Sequence, residues 1–282
     1  MLATYEAIRE KDFHMTICID PPNKRLRVDE YLGNPASMMT RINEMAKEHG
    51  MTKAIVKAKR NDVELLLSRG YIIEAIIKQY YRGDDAYCMS LYYDIERRTS
   101  EEWIKEDTIL NDVLKLPLST AAKELDDAFE MHLGKTEDAA QLAELYGSVF
   151  ESYPTPMNQK DYIEEVMDEG TIFYIIKKDD AIISAASAEI NYEYSNAEIT
   201  DCATLPQFRK HGFMKLLITE LEIELFNKHI FCAYSLARSL SFGMNASFHQ
   251  LGYTYTGRLI KNCDIFGKFE DMSVWVKDLS KS

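Results

Sequence analysis

Arg209, Lys210 and His211 stand directly before Gly212 and a long run with helical spacing of apolar residues, in "TLPQFRKHGFMKLLITELE". A strand, a proline turn, a basic-glycine loop and a helix start follow one another there. The first N–H groups of a helix have no intrahelical partners, and the helix dipole adds partial positive charge at that end. Together they bind phosphate. Arg209, Lys210 and His211 add side-chain donors, and Gly212 lets the backbone approach a ligand with no Cβ in the way. The alternative at this stage is an exposed basic helix start with Gly212 as a spacer.

Other chemistries find no pattern. The six histidines are scattered without metal spacing, GxGxxG and P-loop patterns are absent, and no metal site is expected. The five cysteines are odd in number and never form a CxxC pair, which argues against a disulfide framework or a zinc site. Cys202 lies close to the loop and reads as a small strand residue before a nucleophile. A formal net charge of -13 over 282 residues disfavours nucleic-acid partners and anionic membranes, and suits a small cationic substrate. The hydrophobic and charged fractions, 46% and 28%, are those of a globular protein, and no apolar run approaches the roughly 20 residues that span a bilayer. A cytoplasmic protein is expected.

The elements that must position the loop are well punctuated in the second half. Thr136 is placed to cap the helix of "EDAAQLAELYGSVF", and Asn158 that of "QKDYIEEVMDEG". Three strands follow, "TIFYIIKK", "AIISAASAEINY" and "NAEITDCATL", the first two joined at Asp179-Asp180. After the loop come a helix to about Lys228, the strand "IFCAYSL", a short helix to Leu251, Gly252-Tyr253 and closing strands. In the first half Asn34 and Pro35 open a helix, "TKAIVKA" is a strand, and Asn61 and Glu64 are spaced as a capping box over "NDVELLLSRG". Gly70-Tyr71 and two strands follow, so the order helix, strand, short helix, Gly-Tyr, strand, strand occurs twice. A helical connector broken at Pro117 joins the copies. The expected class is α/β, in two domains, 1–125 and 126–282, the first a degenerate copy that lacks the basic-glycine loop.

"CATLPQFRKHG", after a strand and before a helix, resembles motif A of the GCN5-related N-acetyltransferases (the GNAT superfamily), R/Q-x-x-G-x-G/A; Arg209 and Gly212 match, and Met214 stands at the last position. The resemblance spans about residues 129 to 282 and implies acetyl-coenzyme A as co-substrate. Its pyrophosphate would lie on the loop and helix start, at Arg209, Lys210, His211, Gly212, Phe213 and Met214. Its pantetheine arm would lie along Cys202, Ala203 and Thr204, with the following strand splayed away. "LGY" matches the end of motif B, which places Asn245 near that motif's asparagine and Phe248 where a thiolate-protonating tyrosine is usual; His249 or solvent is then expected as the acid. Acetyl transfer needs a neutral amine, and an ammonium pKa near about 10.4 calls for a proton acceptor. Glu198 and Asp201 are the candidates. Strict alternation would put them on opposite faces unless a bulge intervenes. Glu151 and Tyr153 in "VFESYPTPMN" are candidate substrate contacts.

Further stretches, "FESYPTP", "AEITDCATLPQFRKHG", "GMNASFHQLGYTYTGRLIKN", "FEDMSVWVK" and "RGYIIEAIIKQYYRGDDAYCMSLY", are similar to the beta-lysine N6-acetyltransferases over nearly the whole chain. That resemblance implies acetylation of the N6 amine of beta-lysine to give a compatible solute, with homodimerisation possible. It leaves two alternatives: a GNAT enzyme acting on lysine, a polyamine or an aminoglycoside, or a non-enzymatic acyl-coenzyme A-binding protein. The first domain is expected to cap the acceptor side.

Overall fold

The structure is a computed structural model that describes residues 3–119, 125–151, 153–265 and 267–281. Its elements are β1 (Thr4–Arg9), β2 (Phe13–Asp20), β3 (Arg25–Gly33), α1 (Pro35–Glu48), β4 (Lys53–Ala58), α2 (Val63–Ser68), β5 (Ile72–Tyr81), β6 (Asp84–Tyr92), α3 (Ile95–Arg98) and α4 (Trp103–Leu114). There follow β7 (Glu130–Leu133), α5 (Ala139–Val149), α6 (Lys160–Asp168), β8 (Ile172–Lys178), β9 (Ala181–Asn191), β10 (Asn196–Thr204), α7 (Phe213–Asn227), β11 (Cys232–Arg238), α8 (Phe242–Gln250), β12 (Thr254–Ile265) and β13 (Lys268–Asp278).

Local chemistry explains most of these boundaries, and corrects three expected caps. Asn34 Oδ1 accepts from the Ala36 and Ser37 amides with Pro35 in the first turn, and α1 buries Met38, Met39, Ile42, Met45 and Ala46 at helical spacing. Asn61 does not cap α2: it lies in a 3-10 turn, and the neighbouring Asp62 accepts from the Tyr31 hydroxyl instead. Thr136 also opens a 3-10 turn; Asp138 takes over, accepting from the Lys135 amide at 3.0 Å and from Lys177 Nζ at 2.6 Å. α6 starts after Gln159 with no side-chain cap, so Asn158 has no such role.

Two mixed sheets result, ordered β1-β2-β3-β4-β6-β5 and β12-β13-β11-β10-β9-β8-β7. In each, one parallel pair is joined through a helix, β3 with β4 through α1 and β10 with β11 through α7. Setting β7 aside, the second order read backwards is that of the first, so the doubled order in the sequence corresponds to a doubled topology. Even the Gly-Tyr pairs match: the Tyr71 amide donates to Leu66 O and the Tyr253 amide to Phe248 O.

The second sheet is covered differently on its two faces. On one, α7 and α8 pack over Ala197, Ile199, Ala233 and Trp275. The other face is shared. α5 and α6 cover its β7 to β9 end, through Leu142, Tyr146 and Ile163 on Phe173, Ile175 and Ala185. The first sheet covers its β11 to β13 end, through Ala75, Ile77 and Tyr80 on Cys232, Tyr234, Val274 and Val276. The two halves meet very closely there: a Cβ on Gly257, whose φ is 152°, would lie 2.1 Å from the Glu74 carbonyl oxygen. The seam also contains a buried ion pair, Lys53 Nζ to Glu74 Oε2 at 2.8 Å. The connector is strapped to the second half by Arg258 on Glu106 and Asp107.

Candidate active site

β10 and β11 pair through only three residues, Asn196, Ala197 and Glu198 on Cys232, Ala233 and Tyr234. Beyond Glu198 they part, while β11 stays paired with β13 as far as Arg238. A cavity of about 610 Å³ opens in the split. Its wall is formed by Thr200, Asp201, Cys202 and Thr204 of β10, Ser235 and Arg238 of β11, Tyr153, and the loop before α7.

That loop fits an anion. Lys210 and Gly212 both have positive φ, 70° and 86°, so the backbone curls into a concave turn at the α7 start. No side chain caps α7 and no acidic residue stands in its first turn, which leaves the leading N–H groups for a ligand. Arg209, Lys210, Gly212, Phe213 and Met214 all line the cavity. His211 does not. Its Nδ1 lies 3.1 Å from the Phe208 and Arg209 carbonyl oxygens and its ring stacks on Phe213, so it braces the loop from behind. Gly212→Val forces a branched side chain into left-handed backbone at a cost of about 1–3 kcal/mol. The expected result is a KM for acetyl-coenzyme A raised about tenfold with kcat at saturation much less affected, measured by initial rates; an unchanged KM would separate the loop from ligand binding.

The carboxylates sit at the fork of the split. Between Thr200 and Ala203 the pairing of β10 with β9 slips, and Asp201 takes φ 46°. This bulge answers the question that alternation left open. It turns Asp201 to the face of Glu198 and Ala203, the face shared by α5, α6 and the first sheet, and leaves Cys202 against the α7 core. Asp201 is buried, accepting from Ser187 Oγ at 2.6 Å and from the Tyr153 hydroxyl, while its own carbonyl accepts from Tyr146 Oη at 2.8 Å. Burial raises its carboxyl, these donors lower it and the Glu198 charge raises it again; the balance is about 6.

A third carboxylate, Glu189, escaped the sequence reading. It stands directly across from Glu198 in the β9–β10 register, and like charges in that position repel. Desolvation, which would raise its carboxyl most, acts weakly on an exposed residue, so the facing charges of Asp201 and Glu198 are what push it up. Burial likewise raises Glu198, against the pull of Lys57 and Arg27. Three acids on one face call for a cation.

The remaining candidates divide. Thr204 and Tyr153 line the cavity; Ala203 is buried behind it, its carbonyl accepting from Ser184 Oγ. Glu151 is exposed and outside the lining, and its neighbour Ser152 lies outside the described residues. Asn245 is not placed for a ligand: Nδ2 donates to the Arg238 and Ser241 carbonyls and Oδ1 accepts from Trp275 Nε1 at 2.8 Å. Phe248 is fully buried against Tyr253. His249, the expected acid, instead bonds the Leu116 carbonyl of the connector at 3.0 Å. Burial, then the Asp201 charge, push the Cys202 thiol well up, which removes it as a nucleophile near neutral pH.

A basic turn at a helix start, two strands parted beside it and acids at the fork are what an acyl carrier with a phosphate handle and an amine acceptor require. The Acetyltransferase (GNAT) family model matches residues 139–253, which contain all three features. N-acetyltransferase YodP of Bacillus subtilis (strain 168) is 41% identical over 260 residues, 91% of this chain and 93% of that one. Beta-lysine N(6)-acetyltransferase of Methanosarcina mazei is 33% identical over 89% of this chain and 100% of that one, and the protein of the same name from Methanococcus maripaludis is 31% identical over 93% and 95%. The likeness therefore includes the first half as well as the second. This chain belongs to the GNAT acetyltransferases, in the family of the beta-lysine N6-acetyltransferases, and is an acetyl-coenzyme A-dependent N-acetyltransferase of amines.

Proposed function

We propose that the acceptor is beta-lysine, acetylated at N6 by direct attack of its neutral amine on the thioester of acetyl-coenzyme A. The observation that carries the reading is the trio Glu198, Glu189 and Asp201 at the fork, a floor for a doubly ammonium-bearing substrate, taken together with the activity named for two relatives. Asp201, with a carboxyl near about 6, is ionised at neutral pH and serves as the proton acceptor. The bound ammonium first releases one proton to solvent; as the freed nitrogen attacks the carbonyl carbon the N–C bond forms, the nitrogen becomes strongly acidic and a second proton passes to Asp201. The C–S bond then breaks, and the thiolate takes a proton from solvent, since no tyrosine stands at the motif B position.

The anion pocket of Arg209, Lys210, Gly212 and the α7 start would hold the pyrophosphate, and Cys202 and Thr204 flank the thioester arm. Acetylation removes one positive charge from beta-lysine and leaves a net neutral zwitterion, the charge state suited to a compatible solute. The relative from Bacillus subtilis is named only as an N-acetyltransferase, so a second diamine or diamino acid is the competing acceptor. Coenzyme A release from purified enzyme across beta-lysine, alpha-lysine, ornithine, spermidine and an aminoglycoside, with product mass and site, tests the choice. The expected result is a kcat/KM for beta-lysine at least about tenfold above the others, one hydrogen-bonding contact's worth of discrimination; a higher value for another amine discards the acceptor and keeps the chemistry.

A further inference from the structure

The acidic floor faces a second set of charges, contributed by the first half of the chain. On β3, Arg27 and Asp29 are two residues apart on the face away from α1, and β4 adds Lys57 on the same side. Arg27 Nε bonds both Asp29 oxygens, at 3.0 and 2.9 Å, and Nη2 donates to the Tyr5 hydroxyl at 2.6 Å. Lys57 Nζ reaches the same Asp29 at 2.8 Å and the Tyr80 hydroxyl at 2.9 Å. Two cations thus share one carboxylate, so one positive charge is left over. The group sits beside the acids: Lys57 Nζ is 5.9 Å from the Tyr234 ring centroid, and Tyr234 is the β11 residue paired with Glu198.

Facing charges of opposite sign ordinarily close into ion pairs. Here they do not. Among the described residues no ion pair joins Arg27 or Lys57 to Glu189, Glu198 or Asp201, although the two cations pull on the ionisation of both glutamates. Arg27 Nη1 has no hydrogen-bond partner among the described residues, and its side chain keeps 27% of its surface open. A surplus positive charge held at Arg27 and Lys57, facing carboxylates that no cation pairs among the described residues, fits a molecule carrying both charges.

We propose that the first half completes the acceptor pocket, with Arg27 binding the carboxylate of an amino-acid acceptor whose ammonium groups lie on Glu198, Glu189 and Asp201. Asp29 and Tyr5 are positioning residues that fix the guanidinium plane, which meets a carboxylate through two parallel N–H donors. The inference rests on the reading of the acid trio as the acceptor site, and it makes selection for an amino acid over a plain diamine the work of the first half.

The test compares kcat/KM for beta-lysine with that for pentane-1,4-diamine, which keeps both amines and lacks the carboxylate, in wild type, Arg27→Gln and Arg27→Lys. Wild type is expected to prefer beta-lysine. In Arg27→Gln that preference should fall about ten- to a hundredfold, the worth of a charge-assisted contact, chiefly through KM, with Arg27→Lys intermediate. Circular dichroism and the KM for acetyl-coenzyme A report whether each variant is folded. An equal fall on both amines in a folded variant, or no fall, overturns the proposal, as does a wild type that prefers the diamine. If wild type instead uses alpha-lysine, the same comparison with cadaverine is run: the beta-lysine reading then fails while the role of Arg27 still stands or falls by its own ratio.

Discussion

Asp201→Asn should slow acetyl transfer about a hundredfold to ten-thousandfold, the range that a positioned proton acceptor contributes. The substitution keeps the size of the side chain and its contacts with Ser187 and Tyr153, but removes the charge. Burial is unchanged and at least one of the Tyr153 and Ser187 donors keeps an acceptor, so what is chiefly lost is the ability to take a proton. The pH profile supplies the sign. A base works only when deprotonated, so wild-type kcat is expected to rise with pH through about 6 and then level. Asp201→Asn should lose that limb, while Glu198→Gln, which removes a charge that raises Asp201, should shift it to lower pH. Stopped-flow or steady-state rates from pH 5 to 9 distinguish these outcomes. An Asp201→Asn enzyme within threefold of wild type would move the proton to Glu198 or to solvent.

The second large effect concerns the seam between the halves. Lys53 and Glu74 are almost fully buried, at 0% and 2% side-chain exposure. Glu74 also accepts from Ser90 Oγ, Tyr92 Oη and the Ile260 amide, and Lys53 donates to the Ile260 carbonyl at 2.7 Å. Lys53→Met leaves the Glu74 carboxylate buried with no counter-charge, an arrangement that costs about 3–5 kcal/mol. A fall in Tm of roughly 5–15 °C is expected. Lys53→Met with Glu74→Leu should recover only part of it, because the uncompensated charge is gone but Ser90, Tyr92 and the Ile260 amide lose their buried acceptor. Denaturation with far-ultraviolet detection measures both; a single variant within 1 kcal/mol of wild type would mean that the seam is wet. Since Ile260 lies on β12 of the second half, the single variant should also raise the KM for the amine more than that for acetyl-coenzyme A.

The sequence spoke most clearly where structure is local. The stretch from Thr204 to Gly212 carries its own turn, donors and helix start, and Thr204, Phe208, Arg209, Lys210 and Gly212 of it line the cavity. The doubled element order was visible for the same reason, because helix and strand periodicities depend on neighbours. What was hidden depended on register. Nothing in "AEITDCATL" announces the bulge that brings Asp201 to the face of Glu198, and the pairing of Glu189 with Glu198 is set by a turn between two strands. Arg27 and Lys57 lie more than a hundred residues from the acids they face, so only the packing of one sheet on another makes them neighbours. Asn245 misled because it lies near the place of a motif's asparagine while its amide is already engaged by Trp275 and two carbonyls. The expected caps Asn61, Thr136 and Asn158 misled because 3-10 turns or an uncapped start preceded the helices.

The opposition of Glu189 and Glu198 across the β9–β10 register has a consequence for turnover. While the acceptor is an ammonium ion, it screens the two carboxylates from one another and from Asp201. Once the reacting nitrogen is an amide it carries no charge, and the three acids are left to repel with one cation fewer to screen them. The departing molecule is thus held less tightly than the arriving one, so the same repulsion that draws the amine in expels what it becomes.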